Sequence, residues 1–429
     1  MDGRRRDREY ELKFKARPAD LERFKAAVKS VPGAGARWAR VKLFNSYFDT
    51  PDYSLRRRGV SVRLRRNKNK FIQTIKTETR AEGGLMDRDE WEFPLPGPEL
   101  DFGLLPAAAR KVLGRITPDD LKPVVEVETE RHIMIIRRAS PLGPELVVEA
   151  DADRASVRAG DGAEHFCECE LELMEGDVTG FFTLAAEIHA RCPLPMSATT
   201  KATRGFRLLS GDTVGGRPIG KFELRADQSL HDALNDIFAA CIRNVVANEE
   251  SCIAGTDPEG VHQMRVSVRR LRSALKIFSP YLRPTNVGWM AEDLRWLGGQ
   301  LGPARDWDVF IGETLASMAG RGIDQGIDAE AIGALRRRAG QARERAYTVV
   351  RETLGSERYA NLTFRLTGFI ALDGWLAGPL DDHDPLLQHL ETIAGGALDR
   401  PYRKLTNAGH GLADQSFEQR HALRIRLKK

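Results

Sequence analysis

The sequence predicts an α+β region built on an antiparallel sheet, followed by an all-α region. Three observations predict it. Apolar and charged residues alternate with period two from residue 9 to about residue 209, a glycine-rich break spans residues 211–220, and apolar residues recur at helical spacing from Leu230 onward. The expected boundaries are residues 1–210 for the first domain, 211–225 for a linker and 226–429 for a helical bundle.

A chain of 429 residues can bury two or three separate cores. With 41% hydrophobic and 30% charged residues it reads as soluble and globular, not disordered. The net charge is only +5, from 66 Lys and Arg against 61 Asp and Glu, so the placement of charge matters more than its sum. Cys167, Cys169, Cys192, Cys241 and Cys252 are scattered, with neither zinc spacing nor a disulfide pattern, which points to a reducing compartment. No apolar stretch follows the basic residues 4–8, and no run of about 18 apolar residues occurs, so neither a signal peptide nor a membrane span is expected and the location reads as cytoplasmic.

Along the first region the polar faces of the strands are unusual. Glu9, Glu11 and Lys13 share one face, opposite Tyr10, Leu12 and Phe14. Arg63 and Arg65 oppose Val62 and Leu64, and Thr74 and Lys76 oppose Ile75. Glu90 and Glu92 flank Trp91, Glu126 and Glu128 flank Val127, and Glu168, Glu170 and Glu172 alternate with Cys169, Leu171 and Leu173. Helical stretches lie at residues 18–31 and 178–190. A solvated sheet face with cross-strand ion pairs would account for any one strand. The apolar faces, however, need cover, and helices are at hand. If the sheet closes into a barrel with helices outside, the charged faces line a polar tunnel. Carboxylates there can hold hard divalent cations, and Lys and Arg can take phosphate oxygens. Such a combination suits phosphoryl transfer.

These residues resemble the CYTH domain of triphosphate tunnel metalloenzymes. Glu9-x-Glu11-x-Lys13 matches the opening signature of that family. Tyr47-Phe48-Asp49-Thr50, Arg63-Leu64-Arg65, Thr74-Ile75-Lys76, Arg88-Asp89-Glu90-Trp91-Glu92, the glutamate strand 168–172 and Thr200-Lys201 follow in order over residues 5–209, with Thr200 where the family has serine. The resemblance implies an eight-stranded antiparallel β tunnel hydrolysing triphosphates with Mg²⁺ or Mn²⁺. It implies metal ligands among Glu9, Glu11, Asp153, Glu168, Glu170 and Glu172, with Asp151 and Asp153 both near the position of one family acid. Lys13, Arg63, Arg65, Lys76, Arg131 and Lys201 would hold phosphates, and Glu9, Glu11, Lys13 and Lys76 form the catalytic set. Which acid orients the attacking water stays open.

In the helical region, Asp257-Pro258 starts a helix and Ser279-Pro280 ends it. His262, Arg265, Arg269, Arg272 and Lys276 fall in a stripe about 80° wide, opposite Met264, Val268, Leu271, Leu275 and Phe278. No acid follows Glu259 within this helix, so no i,i+4 pair relieves the repulsion and an external polyanion would. The pattern returns at His421, Arg424 and Lys428, where the chain stops, and this reads as a bundle cut within a repeat. His262, Arg265, Arg269, Arg270 and Arg272, with Leu301-Gly302-Pro303-Ala304-Arg305-Asp306-Trp307-Asp308-Val309, resemble the CHAD domain, a two-halved helical domain whose second half is incomplete here. That resemblance implies inorganic polyphosphate along the basic faces, from His262 to Lys276 and again at His421, Arg424 and Lys428. Aromatic residues do not interleave with the stripe, which disfavours nucleic acid.

The sequence therefore predicts an inorganic triphosphatase whose helical region binds polyphosphate or places the protein on polyphosphate granules. Rival readings are thiamine triphosphatase or adenylate cyclase chemistry in the same tunnel, and a polyphosphate receptor without turnover.

Overall fold

The structure, a computed structural model, describes residues 6–77, 85–139, 143–211, 214–282, 284–318, 329–376 and 384–427. Strands β1 (Arg6–Ala16), β2 (Ala39–Asp49), β3 (Val60–Asn67), β4 (Lys70–Thr77), β5 (Leu85–Leu95), β6 (Lys122–Arg138), β7 (Leu146–Ala159) and β8 (Gly162–Glu175) form a closed barrel. Their order is β1-β5-β4-β3-β2-β6-β7-β8, and β8 returns antiparallel to β1. Closure pairs every strand on both sides and leaves no free edge.

Helices α1 (Pro18–Lys29), α2 (Ser54–Arg57), α3 (Ala107–Leu113), α4 (Val178–Arg191) and α5 (Lys201–Ser210) accompany the barrel. Pro18 opens α1, where its missing N–H costs nothing, and Asp20 accepts from the Arg17 N–H at 2.9 Å. Leu12 and Phe14 of β1 point outward and pack with Leu21, Phe24 and Val28 of α1 and with Phe181, Leu184 and Ile188 of α4. Across the barrel, Val62, Ile75 and Trp91 are covered by Leu55, Leu105, Ala109 and Leu113. The apolar positions of the period-two pattern are thus the outer face of these strands, and each such side chain contributes roughly 1.5–3 kcal/mol by burial.

Strand β6 departs from that pattern. Val125 and Val127 are its buried residues beside Glu126 and Glu128, and they pack with Ala155, Val157, Tyr47 and Phe206. Glu128 instead lies on the outer face, near Lys42 at 3.7 Å and Arg158 at 3.9 Å, while Glu130 pairs with Arg40 at 2.8 Å. Glu126 is exposed. The expectation that Glu126 and Glu128 face the tunnel is therefore corrected. This end of the interior is filled by Phe206 of α5, so the inward positions of β6 must be apolar there and become Thr129 and Arg131 only further along.

The helical region comprises α6 (Leu230–Ala247), α7 (Glu249–Ala254), α8 (Pro258–Ile277), α9 (Pro284–Val309, continuing through a π-helical stretch Phe310–Leu315), α10 (Ala329–Leu354), α11 (Glu357–Ala371), α12 (Leu390–Gly409) and α13 (Phe417–Leu427). Compact units do not follow chain order. One consists of Met1–Arg217 with Val246–Gly260 and Tyr347–Leu372, the other of Pro218–Val245, Val261–Ala346 and Asp373–Lys429. Two stretches of the helical region thus belong to the same unit as the barrel. In the second unit Leu230, Leu234, Phe238, Cys241 and Ile242 of α6 are buried, as are Met264, Val268 and Leu271 of α8. Ser267 Oγ donates to Asn244 Oδ1 at 2.8 Å between these two helices. All five cysteines are free thiols, and among the described residues no helix is long and apolar enough to cross a membrane.

Within the first unit His189 of α4 stacks on Phe364 of α11 at 4.3 Å and lies 5.9 Å from Phe14. Burial there pushes its imidazole down to about 4. A histidine lowered on folding costs nothing above about pH 6.5 and destabilises as pH falls toward its native value, because the unfolded chain then binds the extra proton. Unfolding by urea should therefore show a loss on the order of 2 kcal/mol from this residue between about pH 6.5 and about pH 5. His189→Phe should remove that part of the acid sensitivity; an unchanged pH slope would show that the residue does not carry it.

Candidate functional site

The inward side chains divide the barrel interior into two walls of opposite character. On one side, β1, β7 and β8 supply Glu11, Lys13, Glu149, Asp151, Asp153, Glu168, Glu170 and Glu172. The register is what assembles them: Lys13 pairs with Glu170, Glu170 with Asp151, and Glu168 with Asp153. Period two puts every one of these side chains on the same face.

Three cations hold this wall together. Lys13 Nζ lies 2.8 Å from Glu170, 3.6 Å from Glu11 and 3.9 Å from Glu168. Arg131 Nε donates to Asp153 at 2.8 Å, its Nη2 to Asp153 at 2.6 Å and to Glu170 at 2.5 Å, and it also pairs with Asp151. Lys201 Nζ meets Asp153 at 2.9 Å, Glu170 at 3.0 Å and also Glu168.

Each ionisation follows from this balance of burial and counter-charge. Burial alone would raise the Glu170 carboxyl, but Lys13, Lys201 and Arg131 hold it well below the usual carboxylate range. Burial pushes Asp151 well above that range; Arg131 opposes it, and Asp153, Glu149 and Glu170 add to it. Burial also raises Glu168, against Lys201 and Lys13. Burial works against the charge on Lys13 and Lys201, yet the surrounding carboxylates keep both above the ordinary lysine value.

The facing wall comes from β3, β4 and β5. Arg63 Nη2 donates to Thr74 Oγ1 at 2.9 Å and to Glu92 at 3.0 Å, and lies 3.7 Å from Glu90. Lys76 Nζ is 2.7 Å from Glu90, and Arg65 Nε donates to Asn45 at 3.1 Å. Burial favours the neutral form of Glu92, but Arg63, Arg65 and Lys76 bring its carboxyl down to about 2. Burial and the neighbouring Arg63 lower Arg65. An arginine lowered by burial and by a neighbouring guanidinium describes a place suited to an anion. The cavity between the walls has a volume of about 680 Å³.

Helix α5 brings Lys201 into this site. Thr200 is its N-cap and accepts from the Thr203 N–H at 3.1 Å, so the hydroxyl at this position has a structural task. Gly205 is required by close approach: a Cβ there would sit 2.1 Å from Val125 Cγ1. Asp49 is a loop organiser, accepting from the N–H groups of Thr50 at 2.8 Å, Leu55 at 2.9 Å and Arg56 at 3.0 Å. This explains the Tyr47–Thr50 motif without giving Asp49 a ligand.

The structure thus brings Glu11, Lys13, Asp153, Glu168, Glu170, Arg131 and Lys201 to one wall and Arg63, Arg65 and Lys76 to the other, with Glu172 also lining the cavity. For Glu9 the backbone pairs with Arg88, and its side chain lies outside those described. The sequence motifs left Tyr47, Glu90 and Glu92 without roles and did not include Glu149, Asn45 or Arg56, all of which line the cavity. Glu149 had a signal, since it stands at strand period with Asp151 and Asp153.

Whether the acidic wall suits a divalent ion can be tested on its own atoms. One oxygen each of Asp153, Glu168 and Glu170 lie within 4.8 Å of one another. Asp151 Oδ1 and Glu168 Oε2 are buried without a hydrogen-bond partner. Carboxylate oxygens left unsatisfied in this way fit a hard cation such as Mg²⁺ or Mn²⁺.

In the second unit, Arg269, Arg272 and Lys276 are exposed along α8. Arg265 donates to the Gly298 carbonyl at 3.0 Å. Arg270 stands off the stripe, donating to Gly220 at 2.7 Å with its guanidinium over the Phe222 ring. His262 is half-buried, His421 and Arg424 of α13 are exposed, and Lys428 lies outside the described residues.

Residues 7–206 match the CYTH domain, and residues 236–429 match the CHAD domain. The chain carries a CYTH domain followed by a CHAD domain. An inorganic triphosphatase of Haemophilus influenzae is 25% identical over 171 residues, 39% of this chain and 46% of that protein, so the chain spans less than half of this relative. An uncharacterised Mycobacterium tuberculosis protein is 26% identical over 408 residues, 89% of this chain and 73% of its own. Among solved structures, the CHAD domain of Ricinus communis is 29% identical with a TM-score of 0.41, over 49% of this chain and 66% of that one. A Hippeastrum protein described as having a dominant triphosphatase activity is 18% identical with a TM-score of 0.34, over 48% of this chain and 97% of its own.

Arg131 is the guanidinium of the acidic wall in the CYTH interior and pairs with Asp151, Asp153 and Glu170. Arg131→Met should lower stability by about 3–5 kcal/mol at neutral pH, because buried carboxylates lose their counter-charge. The deficit should shrink as pH falls and those carboxylates take up protons. Urea midpoints measured from about pH 7 to about pH 5 would check this, and a loss independent of pH would contradict it.

Proposed function

We propose that the CYTH domain hydrolyses inorganic triphosphate with Mg²⁺ or Mn²⁺. The observation that carries this reading is the pair of facing walls, one of buried carboxylates and one of arginine and lysine, across a single cavity. A linear triphosphate is an anionic chain that would satisfy the cationic wall along its length. Arg63, fixed by Thr74 and Glu92, and Arg65, fixed by Asn45, present guanidinium donors to phosphate oxygens. Lys76, braced by Glu90, adds a point charge beside them. Lys13 and Lys201 reach from the opposite wall, kept charged by the carboxylates around them.

Glu9, Glu11, Asp153, Glu168, Glu170 and Glu172 would hold the metal, with Asp151 at hand in the same wall. When bound, the ion neutralises charge on phosphate oxygens and so favours loss of a phosphoryl group. The side chains themselves do the positioning. They keep the chain extended between the walls, exclude bulk water, and leave the carboxylate wall to orient the attacking water.

The same reasoning assigns polyphosphate to the basic surfaces of the CHAD domain. Arg269, Arg272 and Lys276 are the exposed candidates on α8, with His262 and Arg265 beside them, and His421, Arg424 and Lys428 are the candidates at the C-terminal end. Because Arg270 serves the fold through Gly220 and Phe222, it contributes less.

Phosphate release from tripolyphosphate, ATP and thiamine triphosphate, with and without Mg²⁺ or Mn²⁺, tests the reading. Tripolyphosphate should be the best substrate, chelation should abolish release, and Lys76→Ala should slow it about 10-fold to about 100-fold. No metal-dependent release from any of the three, or a Lys76→Ala protein equal to wild type, would defeat it. Cyclic AMP formed from ATP would point to cyclase chemistry instead, and binding of polyphosphate without turnover to a receptor.

A further inference from the structure

One residue lining the cavity lies beyond the last helix of the CYTH domain. Arg217 stands in the glycine-rich stretch expected to be a linker, yet it lines the same cavity as Arg56, Thr203 and Phe206. Its backbone is gripped on both sides by one side chain. Asn248 Oδ1 accepts from the Arg217 N–H at 2.8 Å, and Asn248 Nδ2 donates to the Arg217 carbonyl at 3.0 Å. Asn248 is 0% exposed, so both of these hydrogen bonds are shielded from water. The preceding Gly216 N–H donates to Asp257 at 2.7 Å. A Cβ on Gly216 would lie 2.4–2.5 Å from the backbone of Glu259 and Gly260, so the segment is pressed against the start of α8.

The two residues after Asn248 hold other parts of the same unit. Glu249 is buried, pairs with Lys15 at the end of β1, and accepts from the Tyr359 hydroxyl at 2.6 Å. Glu250 accepts from Thr199 Oγ1 at 2.9 Å and pairs with Arg207 of α5. Thr199 lies just before Lys201, the cation that α5 delivers to the carboxylates. Three consecutive side chains therefore fix Arg217, β1 and the segment entering α5. An exposed arginine that follows two glycines would ordinarily sample many directions. Here a buried amide fixes the backbone at the position from which the side chain reaches the cavity.

We propose that Arg217 is a substrate-contacting residue of this cavity, and that Asn248 is its positioning residue. The proposal rests on the reading of the tunnel as a triphosphate site. Arg217 would take phosphate oxygens in the cavity that Arg63, Arg65 and Lys76 also line.

The test uses the full chain with tripolyphosphate, measuring Kd by calorimetry and turnover by phosphate release. Arg217→Ala should raise both Kd and KM by about fivefold to tenfold, with kcat changed by less than about twofold, and Arg217→Lys should recover part of the loss. Asn248→Ala should move KM in the same direction, and the double variant should be no worse than Arg217→Ala alone. An Arg217→Ala protein within about twofold of wild type in Kd overturns the contact, and multiplying effects in the double variant overturn the positioning role. If Asn248→Ala fails to fold, that role is decided instead by Asn248→Asp, which keeps only the acceptor and should give an intermediate KM. Wild-type binding without turnover would defeat the hydrolysis reading while Kd still decides on Arg217; no wild-type binding at all would defeat both.

Discussion

Charge compensation inside a closed barrel is the constraint on which the rest of this structure depends. The inward faces of β1, β7 and β8 carry carboxylates that ordinary cores exclude, and burying an ion without a partner costs several kcal/mol. Lys13, Arg131 and Lys201 each touch more than one of them, so removing a single cation exposes a group and not a pair. The opposite wall uses the reverse arrangement, with Glu90 and Glu92 bracing Arg63 and Lys76. The interior is thereby held polar and preorganised, which is what a site for a metal and an anionic chain requires.

That arrangement in turn constrains the ends of the barrel. Lys201 arrives on a helix whose first turn is capped by Thr200 and whose middle can approach β6 only because residue 205 has no side chain. Phe206, one position on, fills the apolar end of the interior. The helix is therefore at once a plug and the carrier of a site residue. Its entry is fixed from outside the strands by Glu250 on Thr199 and Arg207, so part of the helical region completes the unit that contains the tunnel.

Much of this was legible because the barrel preserves period two. Alternation along β1, β3, β4 and β8 puts the charged set Glu11, Lys13, Arg63, Arg65, Lys76, Glu168 and Glu170 on one face of the sheet, and that face is the inner one. The rule failed on β6, where Glu126 and Glu128 are charged but point outward. Alternation says which residues share a face; it does not say which face is inside. Asn45 and Arg56 carried no pattern, since an uncharged partner and a residue of the short helix α2 enter the site through register and turn geometry.

The sequence by itself determined the two classes of region, the strand period, the carriers of charge and the amphipathic face of α8, because these follow from local spacing along the chain. Only the tertiary structure decided which carboxylates share a cation, that α5 plugs the interior beside Val125, and that residues 246–260 and 347–372 belong with the barrel. Those are long-range pairings. They depend on the sheet closing in one register and on side chains such as Asn248 finding partners far away in sequence, and no local period encodes such a meeting.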